Sequence, residues 1–168
     1  MNERIAKTFL VALVALVMGL ATFNNLTDYG SNFEFVKHVM SMDNTFPGNR
    51  LMYRAITSPV VHHLFYAVII LWEGSTFVAL TLGAFSLWKA RRSADSFTAA
   101  KPAVVTALIA NLGLWFLAFL TVGGEWFVMW QSQTWNGQNA AFRMFTCVAL
   151  ILLVLKTPET PADTGIKG

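Results

Sequence analysis

One carboxylate stands inside a long apolar stretch of this 168-residue chain. Glu73 directly follows the apolar run 68–72 and lies within the stretch 60–87. An ionisable group in a membrane-length apolar segment is costly to bury and by default suggests a functional site. His62 and Tyr66 precede it by eleven and seven residues, which places all three on nearly one face of an α-helix. Such a line could conduct protons or hold a polar ligand.

A structural role for Glu73 is the competing interpretation. Its carboxyl group could be protonated and hydrogen-bonded to Asn111 in the third apolar stretch, to Ser75 or Thr76, or to a carbonyl. It could also pair with a partner protein. The candidate intramembrane polar site therefore comprises Glu73, Tyr66, His62 and Asn111.

Three histidines raise the question of metal or haem binding. A bis-histidine haem needs two imidazoles directed into one cavity, whereas the adjacent His62 and His63 point about 100° apart on a helix. His38 lies near methionines, which are soft copper ligands, but no ligand-rich motif supports a site. Interfacial histidines bonded to Asp28 or Asp43 are the simpler interpretation. No cofactor or metal is predicted, and haem or copper held by His38, His62 or His63 is the open alternative.

A second group of polar residues lies outside the apolar stretches. Glu125 and Arg143 stand at neighbouring ends of the third and fourth stretches and could form an ion pair across the intervening loop. The candidate outer-face interaction or ligand site comprises Asp28, His38, Asp43, His63, Glu125 and Arg143.

Four apolar stretches must position these groups. The chain is 55% hydrophobic and 12% charged, whereas soluble domains carry about 25% charged residues. About 20 apolar residues cross a bilayer as a helix. We expect one domain, 1–156, with spans at about 5–23, 59–88, 102–122 and 138–156, the third opened by Pro102. The predicted fold is an all-α membrane protein, a bundle of four transmembrane helices.

The segments between and after the spans have their own patterns. In the outer loop 24–58, apolar residues recur at helical spacing between Asn32 and Met42, which predicts a short amphipathic helix. The tail 157–168 contains two prolines and is predicted to be disordered. The single cysteine, Cys147, lies in the fourth stretch and is predicted to be buried.

Basic residues predict the orientation of the chain. One end of the spans carries Arg4, Lys7, Lys89, Arg91, Arg92, Lys101, Lys156 and Lys167, and the other carries Lys37, Arg50, Arg54 and Arg143. The positive-inside rule then predicts a multi-pass inner-membrane protein with both termini in the cytoplasm. The net charge of +3 indicates contact with anionic lipids rather than nucleic-acid binding.

Several segments give the chain a family likeness. They are Asn-Asn-Leu-Thr-Asp-Tyr at 24–29 with Asn32-Phe33, Phe-Val-Lys-His-Val at 35–39 with Met42-Asp43, and the segment from His63 to Trp72-Glu73. Over residues 5–155 the chain resembles the bacterial predicted small integral membrane protein family, a domain of unknown function. The resemblance implies four spans, a long first outer loop and a bacterial inner-membrane location, and it implies no established activity.

The sequence contains none of the common catalytic motifs. It has no nucleophile elbow, phosphate loop, HExxH or CxxC, so we do not expect an enzyme. The leading hypothesis is an accessory or scaffold subunit of a larger inner-membrane complex, of respiratory or transport type. It would bind a membrane-protein partner or a second copy of itself within the lipid bilayer. The alternatives are a proton-coupled or small-molecule carrier using Glu73, and an electron-transfer module holding haem or copper.

Overall fold

Helices form most of the described chain. The computed structural model describes residues 3–159. Its α-helices are α1 (Glu3–Thr27), α2 (Tyr29–Ser41), α3 (Pro59–Ala90), α4 (Ala94–Gly113) and α5 (Gln138–Lys156). Helix α4 continues without a break as a π-helix, Leu114–Trp126, called here the π segment. Short 3-10 turns occur at Met52–Arg54 and Met129–Gln131.

Four continuous helical segments of the described chain, called here rods, are long and apolar enough to cross a membrane: α1, α3, α4 with the π segment, and α5. Their inward faces supply a common core, in which Val11, Leu80 and Leu108 are fully buried. Large apolar side chains also point away from the bundle, with Leu71 68% and Leu82 64% exposed. Apolar residues on both sides of a helix are typical of a bundle surrounded by lipid. The all-α four-span fold predicted from the sequence is confirmed.

A second, smaller core joins one end of the bundle to the connecting loops. This cap consists of residues 28–58 and 127–137. This core contains the buried side chains of Met40, Met42, Phe127 and Met129 together with Tyr66 of α3. The amphipathic helix predicted in the first outer loop is confirmed as α2. The opposite end of the bundle, where Arg4, Lys7, Lys101 and Lys156 lie, is called here the basic end.

The third rod begins earlier and ends later than the sequence predicts. Ser93 caps α4, because its Oγ accepts a hydrogen bond from the main-chain N–H of Ser96 at 3.3 Å. Pro102 therefore lies inside the helix instead of opening it. At the other end, Gly123 and Gly124 remain within the π segment, which runs on to Trp126.

Two further predictions concern the burial of Cys147 and the disorder of the C-terminal tail. Cys147 is exposed on the outer surface of α5, so the prediction of a buried thiol is wrong. It lies next to the buried Val148, on a different face of the helix.

The predicted disorder of the tail concerns mainly residues 160–168, which lie outside the described residues. Thr157 and Glu159 are described and pack against the basic end.

Candidate functional site

Glu73 forms a hydrogen-bonded network between α1 and α3. Nδ2 of Asn25 donates to Oε2 of Glu73 at 2.6 Å. The hydroxyl of Tyr66 donates to the main-chain oxygen of Asn25 at 3.2 Å and to its side-chain oxygen at 3.1 Å. Glu73 is 3% and Tyr66 2% exposed. A single asparagine therefore joins two buried polar groups of the neighbouring helix.

Close packing of α1 on α3 brings these groups together. Gly74, next to the carboxylate, has no side chain, and a Cβ built there would lie 3.5 Å from Cγ2 of Thr22. Asn25 follows Thr22 by one helical turn, so the same approach places its amide beside Glu73. Small residues at such contacts allow membrane helices to approach closely.

The network lies nearer the cap than the basic end. Glu73 is sixteen residues from Lys89 at the basic end, which corresponds to about 24 Å along a helix. Asn25 is eighteen residues from Lys7, or about 27 Å. Because the hydrocarbon core of a bilayer is about 30 Å thick, the network lies close to the cap-side boundary of that core rather than at its middle.

The two adjacent histidines of α3 have separate partners. Nε2 of His62 lies 2.6 Å from the main-chain oxygen of Ile56, which holds the loop that precedes α3. The ring of His63 stacks on Phe33 with centroids 4.1 Å apart, and its Nδ1 lies 2.7 Å from the Tyr29 hydroxyl. Tyr29 in turn contacts the ring of Tyr66, at 4.7 Å between centroids. Tyr29 of α2, rather than His62, therefore extends the network outward.

Asn111 does not share a hydrogen bond with Glu73. Within residues 3–159, neither Nδ2 nor Oδ1 of Asn111 has a hydrogen-bond partner, although the residue is 0% exposed. The hydroxyl of Thr76 bonds the main-chain oxygen of Glu73, not its carboxylate. The amide expected from the third span comes instead from Asn25 in the first.

His38 lies on the cap between two carboxylates. Its Nδ1 is 2.8 Å from Oδ2 of Asp43 and its Nε2 is 3.2 Å from Oε2 of Glu34. The ring also stacks on Trp135, at 4.6 Å between centroids. A hydrogen bond from Lys37 lowers the pKa of Glu34 below its ordinary value of 4.5. His38 therefore has a loop carboxylate as its partner.

Asp28 uses its main chain in the same region. Its main-chain oxygen accepts a hydrogen bond from Nδ2 of Asn32 at 3.0 Å. Among the ion pairs of residues 3–159, no histidine is paired with Asp28, and His38 is paired with Asp43 and Glu34 instead. The three histidines thus have different partners and do not converge. In residues 3–159, no group of three or more His, Cys, Asp or Glu side chains is placed to hold a metal ion.

Glu125 and Arg143 are both exposed, and the described chain shows no ion pair between them. Because the helix continues past Gly123 and Gly124, Glu125 lies on the last helical turn rather than in the loop. The main-chain oxygen of Glu125 instead accepts a hydrogen bond from Arg54 at 3.4 Å.

Four large aromatic side chains at the cap end of the bundle are exposed, and they are together called here the aromatic patch. Phe46 is 50%, Tyr53 76%, Trp126 51% and Trp130 45% exposed. Phe46 meets Trp130 edge to face at 5.8 Å, and its main-chain N–H donates to Gln131 Oε1 at 3.0 Å.

The guanidinium of Arg54 holds the rest of the aromatic patch. It lies 4.9 Å from the ring of Trp126 and 5.5 Å from that of Tyr53. The same guanidinium donates to the main-chain oxygen of Trp126 at 3.3 Å. The patch is therefore fixed by ring contacts and by hydrogen bonds to the main chain.

Sequence reasoning missed Tyr29 as a site residue and the π segment altogether. Asn25 had a usable signal, since it is an amide that ends an apolar stretch. Tyr29 follows Asn25 by four residues in the sequence. Its contact with His63, however, depends on how α2 packs against α3. The π segment has no clear signal in hydrophobic periodicity, because its sequence is apolar on every side.

Comparison with known proteins agrees with this architecture. A model of a family described as predicted small integral membrane protein (DUF2165) matches residues 3–158. No curated protein and no solved structure matches the chain. The match covers all four candidate spans and the cap, including Asn25, Glu73 and the aromatic patch. The chain therefore belongs to the predicted small integral membrane protein family DUF2165.

Proposed function

We propose that this integral membrane protein is a non-catalytic accessory subunit that docks onto a larger membrane protein through the aromatic patch of its cap. The patch is the observation that carries the proposal. Tryptophan, tyrosine and arginine are the residues that most often dominate the energy of protein interfaces. Trp126, Tyr53 and Arg54 bring all three types into contact through the guanidinium of Arg54.

The backbone below the patch supports a preformed surface. Val128 has φ of 47°, a left-handed conformation that β-branched residues rarely adopt. Such strain costs about 1–3 kcal/mol and persists only where the surrounding structure enforces it. Val128 is buried between Phe127 and Met129, which pack in the cap core. A surface held this firmly loses little entropy when a partner binds.

The location and orientation belong to the same proposal. The protein would lie in the bacterial inner membrane with its basic end in the cytoplasm, as the lysine and arginine distribution favours. The patch would then meet its partner on the outer side. Single cysteines at Tyr53 and Lys89, in a Cys147→Ser background, test this. In intact cells a membrane-impermeant maleimide should label only the first, and the reverse pattern contradicts the orientation.

The carrier alternative has less support from the geometry. A cavity of about 210 Å³ lies beside α3, and its walls include Ile69, Trp72 and Phe119. Glu73 is not among the lining residues. Its carboxylate bonds Asn25 of the same chain, which favours a structural role.

A matched pair of tryptophans tests the docking surface. Trp88, at the basic end, is 44% exposed and stacks under Arg91 at 4.0 Å, just as Trp126 stacks under Arg54. The protein would be cross-linked in native membranes, extracted in mild detergent and analysed by mass spectrometry. We expect a stoichiometric partner that Trp126→Ala or Trp130→Ala loses and Trp88→Ala retains.

Two outcomes would overturn the proposal. One is recovery of the protein without a stoichiometric partner in every detergent tried. The other is equal loss of the partner in the Trp88→Ala and Trp126→Ala variants. In the latter case the aromatic residues would serve only to anchor the protein at the membrane interface, where tryptophan is enriched.

A further inference from the structure

A carboxylate from the C-terminal segment is buried among basic side chains at the basic end. The side chain of Glu159 is 3% exposed. Its Oε1 lies 2.8 Å from Nζ of Lys7 and is also paired with Nζ of Lys101, and its Oε2 lies 3.3 Å from Nε of Arg4. Arg4 and Lys7 belong to α1 and Lys101 to α4. These three cations are called here the clamp.

The clamp directs its donors at oxygen atoms. Lys7 is 2% exposed, and its ammonium group contacts Glu159, the main-chain oxygen of Thr157 at 3.0 Å and Oε1 of Glu3 at 2.7 Å. An ammonium group has three N–H donors, so all of them are used. Lys101 donates to the same Thr157 oxygen at 2.7 Å. Buried cations need such acceptors, because an unpaired buried charge is strongly destabilising.

Within residues 3–159, the clamp pairs basic side chains with carboxylates. The three cations of the clamp face the carboxylates of Glu159 and Glu3. Burial tends to raise the pKa of Glu159, but hydrogen bonds from Lys101 and Lys7 lower it below its ordinary value of 4.5. The group held by the clamp is therefore an anion at neutral pH.

We propose that the clamp is a binding site for the phosphate of an anionic phospholipid, for which Glu159 is an internal competitor. A phosphate offers the same charged oxygen acceptors as a carboxylate and can carry more of them. Basic residues at the ends of membrane spans lie at headgroup level and attract anionic lipids. Only Thr157 and Pro158 separate Glu159 from the end of α5, so the carboxylate can leave without unfolding the helix. Lipid binding would release the C-terminal segment.

The test uses the full chain in nanodiscs of phosphatidylcholine with or without phosphatidylglycerol. Native mass spectrometry would measure how much phosphatidylglycerol stays bound. A basic residue near the membrane surface contributes about 1 kcal/mol to anionic-lipid binding, or about fivefold in affinity. Lys7→Gln and Lys101→Gln should each lower retention by about that factor. Lys89→Gln is the control, because Lys89 lies at the same end with its ammonium group over the ring of Phe85, and among the described residues it forms no ion pair with Glu159.

Removal of the competitor gives the opposite expectation. Glu159→Gln keeps the size of the side chain and should raise phosphatidylglycerol retention. If Lys7→Gln fails to assemble, the retention measured for Glu159→Gln tests the proposal by itself. Trypsin cleavage after Lys156 reports release of the segment, and phosphatidylglycerol should accelerate it in the unmodified chain. Equal retention by all variants would overturn the proposal. The proposal would also be overturned if inorganic phosphate, added to nanodiscs of pure phosphatidylcholine, released the segment as effectively as phosphatidylglycerol does. The clamp would then bind free phosphate rather than a lipid headgroup.

Discussion

Replacement of Glu73 separates a structural from a chemical role for the buried carboxylate. Glu73→Leu removes the acceptor for Nδ2 of Asn25, whereas Glu73→Gln retains an oxygen at the same position. Glutamine can therefore accept the same hydrogen bond without a charge. We expect the leucine variant to be destabilised and the glutamine variant to remain close to the unmodified protein.

The magnitude follows from the contacts of this network. Hydrogen bonds between membrane helices contribute about 0.6 kcal/mol on average and at most about 1.7 kcal/mol. An unsatisfied buried donor costs about 1–3 kcal/mol. Because Asn25 is only half-buried, the lower part of that range applies. Glu73→Leu should lower the free energy of unfolding by about 1–2 kcal/mol, and Glu73→Gln by less than about 0.6 kcal/mol.

A double-mutant cycle with Asn25→Ala isolates the pair from the apolar gain that leucine brings. Unfolding would be followed in mixed detergent micelles as the denaturing detergent is increased. The coupling energy should fall between about 0.6 and 1.7 kcal/mol. The reasoning fails if the coupling is indistinguishable from zero, or if glutamine destabilises the protein as much as leucine does. Should Glu73→Gln keep its stability and its partner yet lose the cellular phenotype, the carboxylate would have a chemical role.

Three further outcomes are expected. Gly83→Ala should lower the free energy of unfolding by about 1–3 kcal/mol, because its Cβ would lie 2.8 Å from Cγ2 of the buried Val104. Gly74→Ala should be neutral or slightly stabilising, because its Cβ would make only a 3.5 Å contact. Unfolding in denaturing detergent measures both variants. Since the folded pKa of Glu159 lies below 4.5, the ion pairs of the clamp should be fully present above that pH and lost as the pH falls through the lowered pKa. Amide hydrogen exchange of the C-terminal segment, corrected for intrinsic rates, checks this. Cys147 should react with a membrane-soluble maleimide and not with an impermeant one, because it is exposed on a lipid-facing helix.

Local sequence signals predict the spans well, because hydrophobicity and length decide whether a helix is placed in a bilayer. The same holds for α2, whose apolar residues repeat at helical spacing. The start of α4 is harder to predict, because Pro102 favours a helix start at that position, whereas Ser93, which caps the helix, lies in a polar segment. The π segment depends on how backbone hydrogen bonds shift within an apolar run, and hydrophobic patterns do not record that shift.

The partner of Glu73 could not be predicted for a different reason. The sequence identifies the costly group, but its bond depends on which residue of another helix stands opposite. Asn25, Asn24 and Asn111 were all chemically suitable. The close approach at Gly74 and the relative height of α1 and α3 select Asn25. Such register is set by packing along the whole interface, not by any local pattern.

The position of the network gives a physical reason for placing a carboxylate at this depth. Asn25 lies in the last turn of α1, directly before the bend into α2. Its bonds to Glu73 and Tyr66 fix where α1 ends against α3. Tyr29, at the start of α2, then packs on Tyr66 and reaches His63. A hydrogen bond between two side chains restricts their distance and orientation, whereas contacts between apolar side chains allow one helix to shift along another. The carboxylate of Glu73 therefore helps to fix the position of α1 relative to α3.

This junction connects the buried network to the exposed surface. The segments that carry the family resemblance, 24–29 and the region from His63 to Glu73, meet at it. Helix α2 contributes to the cap core, which also contains Phe127 and Met129, the chain neighbours of Trp126 and Trp130 in the aromatic patch. The carboxylate would therefore act on docking at a distance, by holding the cap in one orientation relative to the bundle. On this reasoning, loss of the Asn25–Glu73 bond weakens partner retention while the side chains of the aromatic patch are unchanged, whereas Trp126→Ala weakens retention while the Asn25–Glu73 bond remains.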